Sequence, residues 1–307
     1  MSLTQEISRL YRKGKTPPPY KSTNVTEMTM MLYLSNKHKI NNPIEKGLRG
    51  QYRSYQNNTS CIPLEKRAPE FCSYELELYY DDKDRLLRTN REEYYSFFYW
   101  RLCDLIDANP GKKVTCTFDI AMYKNDIPDN GHTEVIVYDP VLNILEHIDS
   151  NNLPKQCSRQ DTVYFSCTEV VNSVMRDIVN ILPQKPLYIN NEDIYSRYDW
   201  GIQCLESSSD LLTESEKGGY CLMWTTLFAD MALTFPEYSM KQIIKEMIKK
   251  AESPLNSATT LNDYFLFVIR GYVTDLSQIL DVRFDDETSQ HNACVRMAFE
   301  FTAEKQI

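Results

Sequence analysis

From Cys221 to Leu233 only Thr225, Thr226 and Asp230 are polar, the pattern of a helix buried on nearly every side. Gly218 and Gly219 break the chain before it, and Thr234-Phe235-Pro236 ends it. Further helical patterns cover Glu169 to Ile181, Ser239 to Lys250 and Leu261 to Leu280, the last with Gly271 as a point of bending. Tyr94 to Ile106 is a dense aromatic and apolar stretch with Asn90 placed to cap it and Asn109-Pro110-Gly111 to stop it. Strand patterns occupy Tyr74 to Tyr80, Lys112 to Ile120 and Pro186 to Asn190. In the second of these, Val114, Cys116 and Phe118 share one face and Thr115, Thr117 and Asp119 the other.

His132 to Tyr138 and Ile144 to Asp149 flank Asp139-Pro140 as the two arms of a β-hairpin. A four-residue loop from Asp139 to Leu142 sets Tyr138 opposite Asn143, which makes His132 face Asp149 and Glu134 face His147. Directly opposed residues have Cβ atoms about 5 Å apart, so an imidazole meets a carboxylate. Gly201 to Cys204 reads as extended and leads into an acidic, serine-rich loop, Glu206-Ser207-Ser208-Ser209-Asp210. From position 284 onward no element is assigned.

With 307 residues, 42% hydrophobic and 25% charged, the chain is expected to fold and to bury a sizeable core. It divides into a basic, partly flexible extension (1–73), a catalytic body (74–283) and an unassigned C-terminal segment (284–307). Residues 1–53 carry ten basic against three acidic side chains, a net +7, leaving 24 against 40, or −16, for the remainder. That arm could take an anionic partner, or lie against the acidic body. No apolar run approaches about 18 residues, and the polar opening Met1-Ser2-Leu3-Thr4-Gln5 has no signal-peptide core, so an intracellular protein without a transmembrane segment is expected. Nine cysteines without a Cys-x-x-Cys pair and four histidines without zinc-ligand spacing suit free thiols and argue against a structural metal site.

A thiol hydrolase needs a sulfur nucleophile, a base, a group that orients the base, and donors for the developing oxyanion. Cys221 opens the buried helix, where free backbone N–H groups and the helix dipole favour a thiolate. His132 is the candidate base, Asp149 the orienting carboxylate, and Gln203 the amide donor beside the Cys221 N–H. His147 stands as a rival base and Cys204 as a rival nucleophile.

The order His132, Asp149, Gln203, Cys221 resembles the cysteine peptidase clan of the ubiquitin-like-protein (SUMO) proteases and the adenovirus protease. The parts that carry the likeness are His132 with Val135-Ile136-Val137-Tyr138-Asp139, Ile148-Asp149-Ser150, Gln203, and Gly219-Tyr220-Cys221 with Trp224. The continuation Met231-Ala232-Leu233-Thr234-Phe235-Pro236-Glu237 looks most like divergent members from large DNA viruses. The likeness covers about residues 112–250. It implies an α+β, papain-like fold with a central mixed sheet on the helix that starts at the cysteine, plus extra N- and C-terminal helices. It also implies cleavage of peptide or isopeptide bonds in a protein substrate, such as ubiquitin, a ubiquitin-like modifier or a viral polyprotein. The location implied is host cytoplasm or virion, and no metal or organic cofactor is needed. In better-known members the glutamine lies a few residues before the cysteine, whereas 17 residues separate Gln203 from Cys221. A Cys-His-acid acyltransferase and a non-catalytic viral protein that keeps the fold are the alternatives.

Overall fold

A computed structural model describes residues 1–12, 20, 24–40, 75–151, 161–195, 201–213, 216, 220–253 and 259–303. The chain is α+β: a six-stranded mixed sheet lies between two layers of helices. The strands are β1 (Leu76–Tyr80), β2 (Leu86–Thr89), β3 (Val114–Lys124), β4 (Ile127–Asp139), β5 (Ile144–Ile148) and β6 (Leu187–Ile189). Their order is β2-β1-β3-β4-β5-β6, with β1/β3 and β5/β6 parallel and the other pairs antiparallel.

Side-chain alternation along the strands divides the core in two. Val114, Phe118, Ile120, Ile136 and Leu145 face α3 (Arg91–Asp107) and α4 (Asp161–Ile181), where Tyr94, Phe98, Val174 and Ile178 are buried. Val135, Val137 and Ile148 face the opposite layer, which is built around α7 (Cys221–Thr234). Every residue of α7 from Leu222 to Ala232 is buried. Around α7 pack α8 (Met240–Ala251) and α9 (Leu261–Ile279), and the same layer holds α10 (Glu287–Ala303), which occupies the stretch left unassigned. Two short helices, α5 (Asn191–Ile194) and α6 (Ile202–Ser207), belong to this same layer.

The N-terminal stretch was expected to be a partly flexible arm, but its described parts are two core helices, α1 (Leu3–Leu10) and α2 (Asn24–His38). Ser2 and Gln5 form a capping box on α1, and Leu3, Ile7 and Leu10 bury one stripe. Cations from this stretch meet acids of the body: Arg9 and Arg12 pair with Asp275 of α9, while Lys37 and His38 pair with Asp230 of α7 at 2.7 Å. Burial works against the Asp230 charge, but the His38 hydrogen bond and the charge and hydrogen bond of Lys37 hold it below the usual carboxylate range. Residues 41–74, with the rest of the predicted arm, lie outside the described residues.

Three local expectations are corrected. The Asn90 side chain does not cap α3; it accepts from Glu77 N and donates to Glu75 O at 2.8 and 2.9 Å, pinning β1. Of the stretch read as extended, only Gly201 is so, as the cap residue of α6; Ile202 to Cys204 are helical. The hairpin closes one residue later than read, which moves every partner by two: Asp139 pairs with Ile144 and Tyr138 with Leu145. Asp139 Oδ1 accepts the Val141 and Leu142 N–H groups at 2.9 and 3.1 Å, and Asn143 adopts φ 50, so the turn is set by side-chain capping. Among the described residues no helix is long and apolar enough to cross a membrane.

Candidate active site

The site forms at one end of the sheet, where β4, the residue after β5 and the first turn of α7 meet. Ile120 of β3 pairs with His132 and holds it in the sheet. Asp149 follows β5 directly; its N–H donates to Asn191 Oδ1 at 3.0 Å, and its Oδ1 accepts from Asn151 N at 2.7 Å. The observed register would set Asp149 opposite Glu134, not His132, so the contact with His132 is diagonal. It is nonetheless short, with His132 Nε2 2.7 Å from Asp149 Oδ1, and both residues are buried.

Cys221 is the half-buried first residue of α7, and its side chain hydrogen-bonds the His132 ring. With Nε2 turned to Asp149, Nδ1 is the nitrogen left for the sulfur. Burial alone would drive the proton off His132, but the charge and hydrogen bond of Asp149, with those of Cys221, hold it well above the ordinary histidine range. Burial likewise opposes the ionised form of Asp149; the charge and hydrogen bond of His132 and the Asn151 N–H outweigh it and keep Asp149 below its usual value. Both directions describe an imidazolium against a carboxylate.

One turn along α7, Thr225 Oγ1 donates to Thr133 O at 2.8 Å, pegging the helix beside the strand residue that follows His132. Tyr220, immediately before Cys221, donates to Glu216 at 2.8 Å, and Arg270 of α9 grips both oxygens of that carboxylate at 2.8 and 2.6 Å. Gly218 and Gly219 lie outside the described residues.

Gln203 is buried, not a surface residue. Its Oε1 accepts the Ser150 hydroxyl at 2.6 Å and its backbone N–H donates to Ser150 O at 2.9 Å. With Oε1 committed, the amide –NH2 is the end that can donate elsewhere. Gly201 lets α6 come this close: a Cβ there would lie 2.6 Å from Asn151 O. The long spacing to Cys221 is bridged through space, since Trp224 Nε1 donates to Glu206 Oε2 at 3.3 Å, one turn into α7 and α6 respectively. Glu206 and Ser209, expected in an exposed acidic loop, are buried.

The rivals fall away on geometry. His147 turns Nε2 to Glu134 and Nδ1 to Tyr188 Oη at 3.1 Å, and Cys204 sits on α6, whereas the sulfur bonded to His132 belongs to Cys221. Sequence reading missed Thr225, Arg270 and the linkage through Ser150. No local pattern marks these contacts, which join residues 53 to 92 positions apart.

His132, Glu134 and Asp149 also present three potential ligand atoms within 4.8 Å of one another. Two ligands of one zinc ion at about 2.0–2.2 Å stand roughly 3 Å or more apart. The 2.7 Å between Nε2 and Oδ1 is instead the length of a charge-assisted hydrogen bond. The trio as arranged holds protons.

Comparisons with protein families, curated proteins and solved structures find no match.

Glu206 supplies a test of the packing behind the site. Burial pushes its carboxyl up to about 8, outweighing the Trp224 hydrogen bond, and its Oε1 has no partner among the described residues. The folded chain therefore keeps a proton that the unfolded chain releases above 4.5, and stability falls as pH rises from 4.5 to about 8. Glu206→Gln keeps an acceptor for Trp224 with no proton to lose. It is expected to flatten that decline and to gain on the order of 2–3 kcal/mol near neutral pH. Denaturant unfolding at pH 5 and pH 8 measures this, and equal pH slopes in both proteins would refute it.

Proposed function

We propose that this chain is a cysteine peptidase that cleaves peptide or isopeptide bonds in a protein substrate. The observation that carries the reading is the buried chain of contacts from Cys221 to His132 to Asp149, with Ser150 tying Gln203 to the same turn. In the reaction, Cys221 Sγ attacks the carbonyl carbon while the imidazolium, oriented by Asp149, protonates the departing amine. Water, deprotonated by His132, then releases the acyl group and restores the thiol. Gln203 Nε2 and the Cys221 N–H would receive the oxyanion. The resemblance to ubiquitin-like-protein proteases is supported by residue order and by the packing of a mixed sheet on a helix that opens at the cysteine. Ubiquitin, a ubiquitin-like modifier or a viral polyprotein would be its target.

The test is incubation with ubiquitin and SUMO carrying a C-terminal electrophile, with the adduct mapped by mass spectrometry and acetyl-CoA consumption followed in parallel. An adduct on Cys221 is the expected result. Acetyl-CoA consumption without cleavage, or no adduct together with inertness to iodoacetamide at neutral pH, would end the peptidase reading.

Asp149→Asn is expected to lower kcat by about 10²–10⁴-fold, because the neutral amide no longer balances the imidazolium. The raised His132 contributes stability that is complete below 6.5 and lost as pH climbs through its folded value. The lowered Asp149 contributes stability present above 3.8 and lost as pH falls through its folded value. The Tm gap between wild type and Asp149→Asn should therefore be widest between those two ordinary values. An unchanged kcat removes Asp149 from the mechanism.

A further inference from the structure

Two His-x-acid triplets lie on neighbouring strands, His132-Thr133-Glu134 on β4 and His147-Ile148-Asp149 at the end of β5. They cross: His132 takes Asp149, and His147 Nε2 takes Glu134 Oε2. We infer that His147 is a positioning residue, which by holding Glu134 reserves His132 for Asp149. This rests on the peptidase reading above.

Glu134 is the natural competitor for His132. It stands two residues along the same strand, hence on the same face, and its Oε1 is 4.0 Å from the very Nε2 that Asp149 approaches to 2.7 Å. A side-chain rotation of about 1 Å would close that gap. What prevents it is the grip of His147 on the other oxygen. Tyr188 Oη donates to Asn172 Oδ1 at 2.9 Å, so it accepts from His147, whose Nδ1 must carry the hydrogen. Nε2 is then the nitrogen that faces Glu134 Oε2. His147 and Glu134 are each about 2% exposed or less. Without His147 the Glu134 carboxylate would lack its hydrogen-bond partner in the interior, which is unfavourable unless it finds another donor. Asp149 and Cys221 act on His132, and Arg176 and Asp193 act with Glu134 on Tyr188. The ring nitrogen already 4.0 Å from Glu134 Oε1 is His132 Nε2, so Glu134 would turn to it.

The test uses the full chain and reads the rate of Cys221 alkylation by iodoacetamide together with the ¹⁵N titration of the histidine rings. Neither needs a substrate, so both report on this inference even if probe labelling fails. In the wild-type background Asp149→Asn is expected to slow alkylation near pH 6.5 by about 100-fold. In a His147→Asn or His147→Gln background the same change should cost less than about 10-fold, because Glu134 takes the vacated place. Adding Glu134→Gln should restore the full penalty. Equal penalties in both backgrounds, or no effect of Glu134→Gln on the rescue, would overturn the inference. The wild-type spectrum is a second check that needs no variant to fold. It should show His147 Nδ1 as the donor to Tyr188 Oη, and a bare Nδ1 would overturn that assignment.

Discussion

Cys221→Ala is expected to reduce hydrolysis to the buffer background, a loss of about 10⁴-fold or more, while shifting stability by less than about 1 kcal/mol. The asymmetry follows from where the sulfur sits. It is half-buried on the first residue of α7, so truncation leaves no large cavity, and the load of holding the helix falls on Leu222 to Ala232. The remaining groups would still bind and polarise a substrate carbonyl, but the sulfur that attacks is gone. The variant carries a spectroscopic consequence as well. Because the Cys221 hydrogen bond and charge help hold the proton on His132, the ring should titrate at a lower pH in Cys221→Ala. Residual hydrolysis above one part in about 10³, or an unmoved ring, would place the nucleophile elsewhere.

Gly271→Ala is expected to be the most damaging small substitution in the chain, removing more than about 3 kcal/mol and lowering Tm by about 5–10 °C. Gly271 is central in α9 and faces the last turn of α1. A Cβ there would fall inside the van der Waals sphere of the Leu10 carbonyl oxygen and lie 3.0 Å from its carbon. Backbone cannot rotate away as a side chain can, so α1 would have to lift, drawing Leu3, Ile7 and Leu10 from the core and Arg9 and Arg12 from Asp275. Gly131→Ala is the control: its Cβ would meet only Ile120 O at 3.6 Å, an ordinary contact. Calorimetry on the two variants decides the matter, and a Gly271→Ala melt equal to wild type would mean that α1 is not seated on α9. Gly271 thus serves close approach between helices, within an α9 that runs unbroken from Leu261 to Ile279.

Much of the architecture was legible because it depends on neighbours along the chain. The apolar run after Cys221, the alternation along Val114 to Ile120 and the turn at Asp139-Pro140 each express a local period or a local cap. The four candidate side chains were found in the same way, by residue type at element ends and by order, and the structure places them in one linked cluster. The hairpin shows where such reading stops. Its existence follows from composition, but its register depends on which carboxylate oxygen of Asp139 captures which N–H, and a change of two positions there turned the expected facing pair into a diagonal one.

The N-terminal cations show the same limit from the side of charge. In the sequence they form a basic block ahead of an acidic body; in the fold Arg9, Arg12, Lys37 and His38 spend that charge on Asp275 and Asp230, at separations of 192 to 266 residues. The sequence by itself determined the helix that presents Cys221, the strands that present His132 and Asp149, and which side chains share a strand face, since helical and strand periods are properties of short windows. Only the tertiary structure decided that Ser150 steadies Gln203, that Thr225 pegs α7 to β4, and that the contact read between His132 and Asp149 is made on the diagonal. Those choices turn on differences of about an ångström between elements distant in the chain, and packing sets such distances where local pattern cannot.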